Sequence, residues 1–312
     1  MLLVAALVAD AVAAVDGIGG SDGIWQRVSE DQWRESQRAF VDERLRSVPA
    51  RHRRRCANVL RGEAAPGFSQ AWQDWLLYRN FFAGRSDGLY LDIGTNDAIH
   101  ISNTAFFDLC LGWRGVCFEP QAKYHERIRA ERNCTLVPHC VLGRAANVSA
   151  AGSGGSMALT PTSAAGGDAS MSCIGMRETL RALGLHGQRV DLLSIDIEGS
   201  EPSVLRCLPW ELLDIAMVLI ETNKVADMRL LDTFFSAHGY ANGLTLLYKD
   251  GRPLDNLYIK LPGGKLVGPR GEPECTADDQ EQTGGLCGPW RRWVHPRLSA
   301  AARMAEWSEC PR

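Results

Sequence analysis

Leu89-Tyr90-Leu91-Asp92-Ile93-Gly94-Thr95-Asn96-Asp97 is an apolar run that ends in acids and breaks at a glycine. Such a run reads as a buried strand delivering the chain to the carboxyl edge of a parallel sheet, where Gly94 permits a tight turn and close approach of a ligand. Ser102-Asn103-Thr104 then offers side chains that open a helix. The loop lacks the three glycines that seat a pyrophosphate on a helix N-terminus. A carboxylate at position 92 repels phosphate and suits a ligand bearing ammonium or sulfonium charge.

Three more junctions repeat the pattern. Gly115 to Phe118 ends in Glu119, at a spacing from Asp92 somewhat longer than the ~20 residues at which an acid reaches ribose hydroxyls in nucleotide-binding βαβ units. Leu192 to Ile195 ends in Asp196 and Glu198, with Ser200 placed to cap a helix that carries Pro202 in its first turn. Ile215 to Ile220 ends in Glu221 and Asn223, before the amphipathic run Val225, Met228, Leu231, Phe234, Phe235. Apolar strands that each end in acids and run into helices predict an α/β, doubly wound, mostly parallel sheet whose carboxyl edge forms one polar site.

The ordered set DIGTND, SNT, GWRGVCFEP, CIGMRETL, LLSIDIEGSE and VLIETN, across about residues 88–260, resembles the FkbM family of class I S-adenosylmethionine-dependent methyltransferases. The resemblance implies a Rossmann-like sheet of seven strands with an antiparallel last strand, S-adenosylmethionine as donor, and methylation of a hydroxyl on a small molecule or glycan. By motif, Asp92, Gly94 and Asn96, with Asp97 beside them, line the methionine side, Glu119 the ribose, and Asp196 the region of the sulfonium. Where family members generally carry glycine after the Asn-Asp pair, this chain has Ala98, which is strained if its φ is positive. Two other readings stay open: a secreted binding module that keeps the fold without catalysis, and an NAD-dependent oxidoreductase, which the missing glycines disfavour.

Methyl transfer asks for proximity, orientation and a base for the acceptor proton. Asp196, Glu198 and His100 are the candidate bases, the first two from their place at a strand end and the third from the pKa of imidazole. The motif set demands no metal, yet Asp196, Glu221 and Asn223 are three oxygen donors at adjacent strand ends that suit a divalent ion such as magnesium.

The 312 residues divide into a leader over 1–20, a helical extension over 21–87, the methyltransferase domain over 88–261, and a Cys-containing tail over 262–312. A formal charge of −3 and a pI near 6.2 leave no electrostatic footprint for nucleic acid. The leader MLLVAALVADAVAAV is apolar like a signal peptide but is too short for an ordinary membrane span. That leader, ten cysteines and the acceptor tripeptides at Asn133 and Asn147 favour the secretory pathway, the Golgi lumen or the exterior, with the cytoplasm as the alternative. Cys110, Cys117, Cys134, Cys140, Cys173 and Cys207 fall within the domain as small buried hydrophobes, with Cys134 and Cys140 on one face of one strand. Cys56, Cys275, Cys287 and Cys310 flank it, in reach of a clamp between the two extensions. The run Arg51-His52-Arg53-Arg54-Arg55 reads as a solvated face, with a processing site or an anionic contact as alternatives. Oligomeric state is not legible.

Overall fold

The computed structural model describes residues 30–261 apart from 62–66, 143–145, 154–155, 162–169, 226 and 248–252. The predicted leader and tail therefore lie outside the described residues. The chain opens with helices α1 (Glu30–Ser47), α2 (Ala50–Leu60) and α3 (Gln73–Leu77), the last running into a π turn at Tyr78–Phe82. Next come β1 (Leu89–Ile93), α4 (Ala105–Leu109), β2 (Arg114–Phe118), α5 (Ala122–Glu131), β3 (Thr135–Val137) and β4 (Cys140–Leu142). Strands β5 (Ala146–Ser153), β6 (Ser156–Pro161) and β7 (Ser170–Gly175) lead to α6 (Met176–Ala182), β8 (Arg189–Val190), β9 (Leu192–Ile195) and α7 (Glu201–Cys207). The chain closes with β10 (Asp214–Ile215), β11 (Met217–Glu221), α8 (Met228–Ala237), β12 (Tyr240–Leu247) and β13 (Pro253–Lys260).

The main sheet has seven strands in the order β12-β13-β11-β9-β1-β2-β3. β11, β9, β1, β2 and β3 run parallel, and β13 lies antiparallel between β11 and β12. The expected Rossmann-like class I fold with an antiparallel last strand is thus the fold observed. Central strands such as β1 and β11 are buried along their whole length, as near-continuous apolar runs require when helices cover both faces. Alternation splits β1 between two cores. Leu89, Leu91 and Ile93 join Val116, Phe118, Leu193, Ile195, Val218 and Ile220 under α6, α7 and α8. Tyr90 joins Leu192, Leu219 and Leu257 under the N-terminal helices, which contribute Val41, Leu45, Cys56, Val59 and Trp75, and under Phe106 and Phe107 of α4. The extension is helical as expected, but its inner face belongs to this core.

Strands β5, β6 and β7, drawn from sequence rich in Ala, Gly and Ser, pair with β4 in a second sheet of order β4-β7-β5-β6. Here backbone pairing overrides the weak strand propensity of small residues.

The cysteine expectations need correction. Cys56 pairs with Cys110, Cys117 with Cys134 and Cys140 with Cys173, their Cα atoms 5.4, 5.9 and 4.3 Å apart. Cys56 thus ties α2 to the end of α4 rather than to the tail. Cys134 and Cys140 sit on either side of β3, not on one strand, because the chain leaves the main sheet between them. Cys207 is disulfide-bonded as well. Among the described residues no helix is long and apolar enough to cross a membrane.

Helix α2 absorbs the basic run. His52 is buried and its Nε2 lies 3.1 Å from Glu131, which also accepts from Arg51 at 2.9 Å. Arg55 lies over the ring of Phe68.

Candidate active site

The strand ends meet at a cleft of about 380 Å³, within the ~300–1,000 Å³ usual for small-molecule sites. Gly94, just past β1, has φ +89°, and a Cβ there would fall 1.9 Å from the carbonyl oxygen of Asp196. The glycine is therefore required by the crossing of two backbones as well as by the turn. Its N–H donates to Phe118 O at 3.0 Å, while Asp196 N donates to Ile93 O at 3.0 Å, so the loops after β1, β2 and β9 are stitched together.

Asp92 is buried and lines the cleft. Its Oδ2 accepts from Thr104 Oγ1 at 2.6 Å. Burial raises its pKa, opposed by the charge of Arg132. Glu119 is not the solvated loop acid that its position before Pro120 allows: it is 2% exposed and lines the cleft. Its Oε2 accepts from Asn96 N and its Oε1 from Gln121 N, both at 2.7 Å. Burial again raises the pKa. Asn96 stands in left-handed backbone, φ 55°, at the cleft wall.

Ala98 is fully buried and absent from left-handed backbone, so its methyl group causes no strain there. Asp97 turns away from the cleft, capping the N–H groups of Ile99 and His100 at 2.9 and 2.7 Å and pairing with Arg127. His100 is exposed, and its side chain does not line the cleft.

At the other wall the register sets acids side by side. Ile195 of β9 is opposite Ile220 of β11, which brings Asp196 against Glu221, and Glu221 is opposite Asp255 of β13. Burial raises all three pKa values. The charge of Asp196 pushes Glu221 further up, and Asp255 is pushed up to about 7. Asn223 Nδ2 donates to Glu221 Oε1 at 2.5 Å, and Gln73 Nε2 of the N-terminal extension donates to Asp255 Oδ2 at 2.6 Å. Glu198, at φ 61°, pairs with Lys224. Carboxylate oxygens of Asp196, Glu198 and Glu221 lie within 4.8 Å of one another, an oxygen set of the kind a hard divalent ion takes.

Ser200 does not cap α7 with its side chain. Glu201, the first residue of α7, instead reaches back to accept from Ile197 N at 2.9 Å and Gly199 N at 2.9 Å, and so holds the Asp196 loop. Sequence reading also missed Asp255, Gln73 and the buried ion pair of Arg132 with Asp108, 2.7 Å. An arginine in the polar stretch Arg129 to Asn133 looks like any solvated face, since no local pattern marks it for burial.

Four buried polar atoms of residues lining the cleft have no hydrogen-bond partner within the described protein: Asn96 Oδ1, Asn103 Oδ1, Ser194 Oγ and Glu221 Oε2. Unmet acceptors and hydroxyls of this kind are costly unless a ligand answers them. Together with Asp92 and Glu119 they form a cleft suited to a ligand with hydroxyls, an ammonium and a positive centre.

Residues 92–241 match the methyltransferase FkbM domain. No curated protein sequence matches the chain. Among solved structures, the precorrin-6y C5,15-methyltransferase from Geobacter metallireducens GS-15 aligns at a TM-score of 0.33 and 15% identity, covering 56% of this chain and 80% of that one.

Proposed function

Residues 92–241 match the methyltransferase FkbM domain, and from that premise we propose that the chain takes a methyl group from S-adenosylmethionine and places it on a hydroxyl oxygen of a small molecule or glycan. The observation that carries this reading is the convergence of Asp92, Glu119 and Asp196 on one cleft at the carboxyl edge of the sheet. Asp92 faces the charge of the donor's ammonium, Glu119 the two ribose hydroxyls, and Asp196 the positive sulfur, with Gly94 and Asn96 shaping the loop between them.

When bound, the donor supplies an electrophilic methyl carbon on sulfur. The protein's part is to hold an acceptor oxygen in line with that carbon and to receive the acceptor's proton. Asp196 and Glu198 remain the candidate proton acceptors. His100 is exposed and outside the cleft lining, so the geometry does not favour it as the base. Gln70, also in the wall, brings the N-terminal extension to the cleft.

Calorimetric titration of the oxidised protein with S-adenosylmethionine, S-adenosylhomocysteine and NAD tests the reading. The two adenosyl ligands are expected to bind and NAD is not. Asp92→Asn and Glu119→Gln, in proteins that stay folded, should each weaken binding at least tenfold, the loss of about 1.4 kcal/mol that one charged hydrogen bond supplies. NAD binding alone would overturn the proposal, and absence of all three in a folded protein would favour the noncatalytic module.

The close approach of Asp196, Glu198 and Glu221 favours a second reading of the same site, in which these acids, with Asn223, hold a divalent ion that orients the acceptor hydroxyls. Loss of activity in a chelator, restored by magnesium, is its required outcome; activity unchanged by chelation rules it out. We propose a secretory-pathway location, a reading that the cysteine pairs support because disulfides persist in oxidising compartments.

A further inference from the structure

Beside Asp92, near the end of β1, lies a buried polar chain that the reaction itself does not require. The side chain of Arg132, which follows α5, is wholly buried, and its three nitrogens all find partners. Nε donates to Asp108 Oδ2 at 2.7 Å. Nη1 donates to Ala98 O and Ser102 Oγ, both at 3.2 Å. Nη2 donates to Tyr90 OH at 3.0 Å and Thr104 Oγ1 at 2.7 Å.

The directions of these bonds matter. Because Thr104 Oγ1 accepts from Arg132, its single proton is left for Asp92 Oδ2, and the 2.6 Å contact is therefore a bond to the carboxylate. Tyr90 OH likewise accepts from Arg132 and donates to Asp108 Oδ2 at 2.7 Å. Asp108 balances the guanidinium charge, and Asn133 supplies two further donors to it, N at 3.1 Å and Nδ2 at 2.8 Å. Ala98 and Ser102 belong to the segment that connects the cleft loop to α4, so the same planar fork fixes both the carboxylate and the loop in front of it.

We infer that Arg132 is a positioning residue: acting through Thr104, it holds the Asp92 carboxyl group aimed so that it receives the ammonium group of the donor's amino-acid tail. This rests on the reading of the cleft as an S-adenosylmethionine site. It adds that recognition of the amino-acid tail, and not of the nucleoside, depends on a residue with no contact to the cleft. Arg132 is not among the residues that line it.

The test is Thr104→Val, which keeps the shape of the side chain and removes the hydroxyl that joins Arg132 to Asp92. Calorimetry would compare S-adenosylhomocysteine, which carries the ammonium, with 5′-methylthioadenosine, which lacks the whole amino-acid tail. The expected result is S-adenosylhomocysteine binding weakened about ten- to a hundredfold, the range spanned by a hydrogen bond to a charged group, with 5′-methylthioadenosine binding unchanged. Equal weakening of both ligands would mean that Thr104 supports the site only as structure, and would overturn the inference. So would unchanged binding of both alongside weakening by Asp92→Asn. Failure of the wild-type protein to bind S-adenosylhomocysteine would instead remove the underlying site assignment. Arg132→Lys, which retains the charge but not the fork, should give the same selective loss where it folds.

Discussion

At Gly94 the sequence and the structure agree on the residue and differ on its reason. The sequence marks a turn beside a ligand; the structure shows a Cβ position only 1.9 Å from Asp196 O, with φ +89°. Gly94→Ala is therefore expected to lower the melting temperature and abolish cofactor binding together, since the loops after β1 and β9 must part to admit it. Retained binding with an unchanged melting temperature would refute this. Asp255 supplies a pH prediction. Its folded pKa, about 7, stands above its ordinary 3.8, because burial beside other acids disfavours the charge. The stability it contributes is present below the ordinary value and is lost as pH rises through about 7. Asp255→Asn keeps the neutral form throughout, so melting curves across this range should show the wild type falling relative to the variant; parallel curves would count against the assignment.

At the scale of elements, strands were the most legible part. β1, β2, β9 and β11 are short, apolar and bounded by acids or glycine, and each occurs where the pattern places it. Helix α8 shows the same at period 3.6, with Leu231, Phe234 and Phe235 buried and Asp227 capping through Arg229 N at 3.0 Å. Strands β5 and β6 were not legible, because Ala, Gly and Ser carry little preference and their pairing is long-range. The bridge Cys140–Cys173 joins β4 to β7 beside the cleft, which Cys140 lines. Replacing both by serine is expected to cost about 2–4 kcal/mol in denaturant unfolding, the usual effect of a disulfide. It should also weaken S-adenosylhomocysteine binding by loosening that wall. Full stability and affinity in the double variant would show the bridge to be dispensable.

For the molecule as a whole, the N-terminal helices share one apolar core with the inner face of the sheet, Gln70 of the extension lines the cleft, and Gln73 bonds to Asp255 of β13. A chain beginning at Gly88 would expose Tyr90, Phe106, Phe107 and Leu192 to water, at about 1.5–3 kcal/mol for each large apolar side chain. It is expected to lose cooperative unfolding and near-ultraviolet dichroism; a sharp transition at the wild-type temperature would show the extension to be a separate unit.

The sequence by itself determined the strand-and-helix alternation, the acids at the strand ends and the match of residues 92–241 to a family domain, because each is written in local periodicity or a short ordered motif. Only the tertiary structure decided which acids stand together, that Ala98 is unstrained, which cysteines pair, and that Arg132 is buried under Asp92. Those facts depend on contacts between residues far apart in the chain. Hydrophobic burial sets which segments meet, and the meeting in turn fixes desolvation, hydrogen-bond direction and charge.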